Sequence, residues 1–82
     1  EPFWGVRREM VKLLGETNTE DALVGLLGIV ASERDHMVLS AVFQAVGAYR
    51  DARVVTAVSA RLAKGDLPAA ARVTAMAALG RQ

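Results

Sequence analysis

The chain has 82 residues, with 10 basic and 9 acidic side chains, a net charge near +1 and no cysteine. A chain of this length supports one small domain, which buries only about 60% of the surface that the unfolded chain exposes. The composition excludes disulfides and thiolate metal sites, and the balanced charge gives no long-range field to attract nucleic acid or a membrane surface.

The first predicted helix covers residues 4–14. Apolar side chains recur there at spacings of three and four, which is typical of an amphipathic helix, and charged side chains occupy the remaining positions. The apolar stripe, which we expect to be buried, consists of Val6, Met10, Leu13 and Leu14. Gly15 follows directly and is predicted to end the helix in a left-handed conformation.

The second predicted helix begins after Thr19, which is a favourable N-cap, and has acidic residues in its first turn. Its predicted buried stripe consists of Ala22, Leu23, Leu26, Leu27 and Val30. Because apolar residues continue in phase beyond Gly28, the helix is predicted to pass through this glycine and to end at residues 32–35.

Aspartates are predicted to cap the third and fourth helices. Asp35 precedes the third, which is expected to end at Gly47, and Asp51 precedes the fourth. The apolar positions of the third helix are Val38, Leu39, Val42, Phe43 and Val46, and those of the fourth are Val54, Val55, Val58 and Leu62.

A fifth helix is predicted to follow the turn at residues 64–66. Pro68 is expected in its first turn, where a missing N–H is not needed. The residues predicted to line its buried side, before Gly80, are Ala71, Ala75, Met76, Ala78 and Leu79.

Three segments of the chain are similar to one another. Residues 6–15, 38–47 and 71–80 superpose at offsets of 32 and then 33 residues, and each ends with an aliphatic residue followed by glycine. Such a period is typical of a solenoid. We therefore predict an all-α, right-handed α-α superhelix of five antiparallel helices in one domain, residues 1–82, made of a half repeat (1–15) and two repeats (19–47 and 51–80).

Two glycines within the second helix, Gly25 and Gly28, correspond to Ala57 and Ala60 in the fourth. A glycine inside a helix costs about 1 kcal/mol relative to alanine, so we expect a compensating close approach of neighbouring backbones. The alternative is an exposed helix surface that tolerates glycine.

The repeated Val-Arg and Leu-Gly positions, at Val6-Arg7 with Gly15 and at Ala71-Arg72 with Gly80, resemble short bacterial HEAT repeats. The resemblance implies that the first, third and fifth helices line the concave surface of the superhelix. It also implies a ladder of aspartate and arginine between repeats, in which Arg72 would contact Asp35. Leu39 replaces the arginine in the middle repeat and interrupts this ladder.

A narrower resemblance involves residues 2–9, with the sequence Pro-Phe-Trp-Gly-Val-Arg-Arg-Glu, and residues 47–51. These segments are similar to the C-terminal HEAT-like region of bacterial M1-family zinc aminopeptidases, which packs against the catalytic domain. The resemblance implies a parent metallopeptidase that binds zinc, and we interpret the chain as a piece of a longer, cytoplasmic protein.

The chain itself is predicted to lack catalytic, cofactor and metal sites. A zinc peptidase site needs two histidines one helical turn apart, and His36 is the single histidine. No serine has a histidine and an acid at an obvious spacing, so we interpret His36 as a solvated residue in a first helical turn.

The candidate interaction surface combines aromatic residues near the N-terminus with polar residues of the concave face: Phe3, Trp4, Arg8, Lys12, Ser40, Gln44 and Thr74. The aromatic residues are expected to pack on an upstream domain, or to promote self-association through the N-terminal helix. Two alternatives to a peptidase module stay open. The first is a free-standing protein-interaction scaffold. The second, less favoured, is a nucleic-acid-binding repeat protein that uses the basic residues Arg7, Arg8 and Lys12, with Trp4 one helical turn away.

Overall fold

The computed structural model describes residues 2–82, except for the side chains of residues 2–5 and 7. Over this range the chain forms five helices and no strand, which confirms the all-α prediction. The helices are α1 (Pro2–Thr17), α2 (Glu20–Ser32), α3 (His36–Val46), α4 (Ala52–Lys64) and α5 (Ala69–Gly80).

The helices form two layers. In one layer α3 lies between α1 and α5, and in the other α2 packs beside α4. The hairpin partners α2 and α3 are in contact, as are α4 and α5, so successive hairpins lie side by side in an α-α superhelix. Because α3 has neighbours on both sides, it contributes six buried residues to the core, namely Val38, Leu39, Val42, Phe43, Ala45 and Val46.

Side-chain caps begin three of the helices where the sequence predicts them. The hydroxyl of Thr19 accepts a hydrogen bond from the backbone N–H of Ala22 at 3.2 Å. The carboxylate of Asp35 accepts two bonds from the first turn of α3, and that of Asp51 accepts one from Arg53 N at 2.8 Å. Pro68 differs from its prediction, because it is the residue before α5 and has no side-chain cap.

Gly15 does not end α1 in a left-handed conformation, so this prediction is wrong, whereas α3 ends directly before Gly47 as predicted. Helix α1 continues through Gly15 to Thr17, and Asn18 takes the positive φ instead. A Cβ added to Gly15 would lie 2.7 Å from Cβ of Ala45, and one added to Gly47 would lie 3.2 Å from Cα of Ala78. These glycines allow adjacent helices of one layer to approach closely, and the contact is repeated one hairpin further along.

The predicted buried stripe of α1 is largely exposed. Val6, Met10 and Leu13 are 58%, 57% and 61% exposed, whereas Val11 is buried. The stripe faces away from α3, and its counterparts at an offset of 32, which are Val38, Val42 and Ala45, are all buried. Amphipathic spacing therefore marks a face that neighbouring helices cover in the middle of the stack but not at α1.

The opposite end of the stack shows the same effect. Met76 is 62% exposed although its counterpart Phe43 is fully buried, and no atom lies within 4 Å of a Cβ placed on Gly80. Val55 of α4 is also exposed, whereas Leu23, its counterpart in α2, is buried. The prediction that Met76 lines the buried side of α5 is wrong, and Val55 is exposed for the same reason, because no described helix packs beyond α4 and α5.

The two glycines within α2 have no packing role in the described structure. Nothing lies within 4 Å of a Cβ built on Gly25 or Gly28, and both residues are exposed. The expected close approach of backbones is absent at these positions, and the alternative of an exposed, tolerant helix surface is the correct one.

The predicted ladder between repeats is also absent. The carboxylate of Asp35 is engaged in capping α3, and no ion pair joins it to Arg72, which is exposed. Asp66 instead pairs with Arg61 of α4, at 3.1 Å from its Nε. The side chain of Arg7 lies outside the described part of the chain.

Candidate protein-docking groove

Four of the predicted interaction residues lie close together where α1 packs beside α3. One depression of about 290 Å³ is lined by Arg8 of α1 and by Ser40 and Gln44 of α3. A second, of about 210 Å³, is lined by Lys12 of α1 and again by Gln44. Because Ala41 lines both depressions as well, they form one continuous surface feature, which we call the α3 groove.

The groove follows from the sequence spacing of two neighbouring helices. Arg8 and Lys12 are one turn apart on α1, and their counterparts at an offset of 32 are Ser40 and Gln44 on α3. Parallel neighbours in one layer place equivalent residues side by side. The floor is shallow because it consists of small residues, including Ala41, Ala45 and Ala48.

Of the other predicted interaction residues, Thr74 does not line the groove. Thr74 is half-buried on α5, and its hydroxyl donates a hydrogen bond to the carbonyl of Ala70 at 3.1 Å. The side chains of Phe3 and Trp4 lie outside the described part of the chain, so their predicted contacts stay predictions.

A larger depression of about 500 Å³ adjoins the groove at the turns that connect α2 with α3 and α4 with α5. His36 lines both this depression and the α3 groove, and so joins the two. Arg34 and Lys64 contribute further cationic side chains, and Asp66 contributes a carboxylate. The histidine is therefore an exposed residue at a junction of surface depressions.

Arg61 forms one wall of this larger depression and is a buried residue that the sequence prediction missed. Its guanidinium donates hydrogen bonds to the carbonyl oxygens of Val30 at 2.7 Å and Glu33 at 2.8 Å, at the end of α2. It also donates to the carboxylate of Asp66. This bonding lowers the pKa of Asp66, mainly through the hydrogen bond from Arg61.

A second arginine of α4 contacts the other end of α2. Arg53 donates hydrogen bonds to both carboxylate oxygens of Glu20, at 2.6 and 2.8 Å, and also to the carboxylate of Asp51. Hydrogen bonding from Arg53 lowers the pKa of Asp51 to about 2 and also lowers that of Glu20. Thus two arginines of α4 hold α2 at its first and last turns.

The comparisons with known proteins agree with this repeated arrangement of hairpins. A family model described as HEAT repeats matches residues 1–80. The chain belongs to the HEAT-repeat family. Neither the comparison with curated proteins nor that with solved structures yields a match.

The described residues of this HEAT-repeat chain present polar binding groups along the α3 groove. Among them, no three histidine, cysteine, aspartate or glutamate side chains are grouped so that they could hold a metal ion. No helix in the described range is long and apolar enough to cross a membrane. The groove instead presents donors, namely the cations of Arg8 and Lys12 and the amide of Gln44, above a floor of alanines.

One sequence signal could have revealed Arg61. It lies three residues after Val58 and seven after Val54, which places it on the apolar stripe of α4. A charged residue in phase with buried residues is rarely buried without partners. Asp66, five residues later in the following turn, was a candidate partner.

Proposed function

We propose that this HEAT-repeat chain is a non-catalytic protein-docking module, which binds a polypeptide segment in the α3 groove. The observation that carries the proposal is the continuity of the groove, which joins polar side chains of α1 and α3 over a floor of small residues. A shallow, continuous groove between helices suits a helix or an extended strand better than a small molecule, which needs an enclosed cavity.

The polar groups of the groove are available to a partner. Arg8, Lys12 and Gln44 are exposed, and none forms a hydrogen bond or ion pair with another described side chain. Polar groups at the edge of an interface add specificity to the contact that the floor provides.

The test is a selection of binding peptides from a random library against the whole chain, followed by mapping with backbone amide chemical shifts. We expect the selected peptides to shift the amides of Ser40 and Gln44, with Thr56 on the exposed side of α4 unchanged as the internal control. Peptides that shift α4 and leave α3 unchanged would contradict a docking role for the groove.

A finer proposal concerns the longer protein to which this module would belong. We infer a parent of the M1 aminopeptidase type, in which zinc and catalysis belong to another domain and this module packs against it. Two observations support this proposal: the resemblance of residues 2–9 to the C-terminal region of such enzymes, and the exposed stripe of Val6, Met10 and Leu13.

The proposed parent is tested by reading the coding sequence upstream of Glu1 and by measuring contact in the full protein. We expect a His-Glu-x-x-His segment upstream, and slower amide hydrogen exchange on α1 in the full protein than in residues 1–82 alone. An upstream sequence that consists of further repeats favours the free-standing scaffold and rejects the peptidase.

A further inference from the structure

We propose that the segment bound in the α3 groove is acidic and amphipathic, an inference that rests on the docking role proposed above. Basic side chains recur along the groove and the adjoining depression: Lys12, Arg8, Arg34 and Lys64, with the imidazole of His36 between them. We call these five residues the basic band. The chain as a whole has a net charge near +1, so the band is a local feature of this surface.

The cations at the centre of the band are not neutralised by the acidic side chains that the structure describes. Arg8 and Lys12 are exposed and form no ion pair with a described acidic residue, and the same holds for Arg34. Arg8 and Lys12 are four residues apart on α1, which places their side chains about 6 Å apart along the helix. Two carboxylates one helical turn apart on a partner helix match this spacing.

The acidic residues of the same surface lie at its two ends. Glu16 lines the far end of the groove, beyond Lys12, and Asp66 lines the depression beside Lys64. The carboxylate of Asp66 is already bonded to Arg61, so it does not neutralise the centre of the band. This arrangement attracts a partner's acidic residues to the middle of the groove and repels them at its ends.

The floor between the cations is apolar, which favours a polypeptide over a nucleic acid. Ala41, Ala45 and Ala48 follow helical spacing, and Met37 is half exposed at one end. Such a floor accommodates small and aliphatic side chains. No phenylalanine, tyrosine or tryptophan side chain lines the described part of the groove, so the imidazole of His36 is the one ring there on which a base could stack.

The length of the groove sets the length of a suitable probe. Helix α3, from His36 to Val46, spans about 15 Å, which matches about 11 residues of a docked helix. The probe is a labelled helical peptide of about 16 residues, with glutamates four residues apart on one side and alanine and leucine on the other.

Fluorescence anisotropy of this peptide with the whole chain tests the inference. Two matched probes have the same length: a peptide in which every glutamate is replaced by glutamine, and a single-stranded oligonucleotide. We expect the acidic peptide to bind at least about tenfold more tightly than the glutamine peptide at low salt, and to lose most of this advantage at high salt because ions screen exposed charges.

Charge-reversal variants locate the binding site. We expect Arg8→Glu to weaken binding of the acidic peptide by about tenfold, because an attraction at the centre of the groove becomes a repulsion. Arg34→Glu is expected to act in the same direction. The matched control is Arg50→Glu, which changes the net charge equally but lies at the start of α4, outside the basic band, and should change Kd by less than about twofold.

The outcomes separate this inference from the docking role. Equal binding of the acidic and glutamine peptides, with shifts at Gln44, overturns the acidic partner and leaves the groove as a docking site. Binding of the oligonucleotide but not the acidic peptide overturns the inference in favour of nucleic acid. An equal effect of Arg8→Glu and Arg50→Glu on binding of the acidic peptide also overturns it, because the basic band would then not be the binding site. Failure of every peptide to bind overturns both proposals.

Discussion

The middle and the ends of the stack place equivalent residues in opposite environments. A Cβ on Gly15 would overlap Ala45 at 2.7 Å and one on Gly47 would be in tight contact with Ala78 at 3.2 Å, whereas the equivalent Gly80 has open space around it. The same contrast holds for apolar side chains, since Phe43 is fully buried and its counterpart Met76 is exposed. The repeat pattern therefore specifies which surface can be covered, and the neighbouring helix determines whether it is covered.

The largest expected effect follows from the glycine contacts. Gly15→Ala should lower the free energy of unfolding by about 3 kcal/mol, because the added Cβ would overlap Ala45 and force α1 away from α3. Gly80→Ala should change it by less than about 0.5 kcal/mol or raise it slightly, because alanine favours the helix and nothing obstructs it. Urea unfolding of both variants measures the difference, and equal losses would show that the close contact does not stabilise the stack.

The two arginines of α4 that contact α2 allow a buried contact, that of Arg61, to be compared with an exposed one, that of Arg53. Arg61→Met should cost about 2–3 kcal/mol, because it leaves the buried carbonyls of Val30 and Glu33 without their donor. Arg53→Met should cost less than Arg61→Met, because the pair of Arg53 with Glu20 is exposed to solvent. Thermal and urea unfolding test this order. A larger loss for Arg53→Met would mean that the exposed ion pairs carry more of the contact than their burial suggests.

A pair of equivalent apolar positions gives a smaller but direct contrast. Val42 and Met10 are 32 residues apart and occupy the same place on α3 and α1. Val42→Ala should cost about 2 kcal/mol because it opens a cavity in the core, whereas Met10→Ala should cost less than about 0.5 kcal/mol. If Met10→Ala destabilises residues 1–82 as much as Val42→Ala, the stripe on α1 is covered in solution. Sedimentation would then show whether a second copy covers it.

Local sequence chemistry predicted those parts of the fold that depend on few residues. Thr19, Asp35 and Asp51 were identified as caps because a cap needs only its own side chain and the next turn. The buried stripes of α2 and α3 were identified because both helices have neighbours. The stripe of α1 was assigned wrongly since its spacing is the same whether or not another helix covers it.

Other features could not be read from residue types alone. A glycine after an aliphatic residue can end a helix or permit close packing, and Gly15, Gly47 and Gly80 all share this pattern. For the groove, the constant offset placed Arg8 beside Ser40 and Lys12 beside Gln44. The same offsets relate Arg8 and Ser40 to residue 73 on α5. Thr74 is therefore one position away from the equivalent of these groove residues. The buried hydroxyl of Tyr49, which donates to the carbonyl of Leu14 at 2.6 Å, depends on two distant turns meeting.

The smallest expected effect is the pH dependence that arises from the exposed carboxylates. Hydrogen bonds from Arg53 lower the pKa of Asp51 to about 2 and lower that of Glu20, and Arg61 lowers that of Asp66. A carboxyl group whose pKa is lower in the folded chain stabilises it above the pKa of the unfolded chain, and this stabilisation disappears as the pH falls toward the folded value. The urea midpoint should therefore be constant from neutral pH to about pH 5 and should fall between about pH 4 and pH 2.

Arg53→Gln should make this fall shallower by removing the donor to Asp51 and Glu20, whereas Arg50→Gln, next to Asp51 in sequence, should leave the slope unchanged. If both variants keep the full slope, the acid sensitivity arises from Asp66 and its buried partner Arg61, which would place the pH response at the covered contact between hairpins.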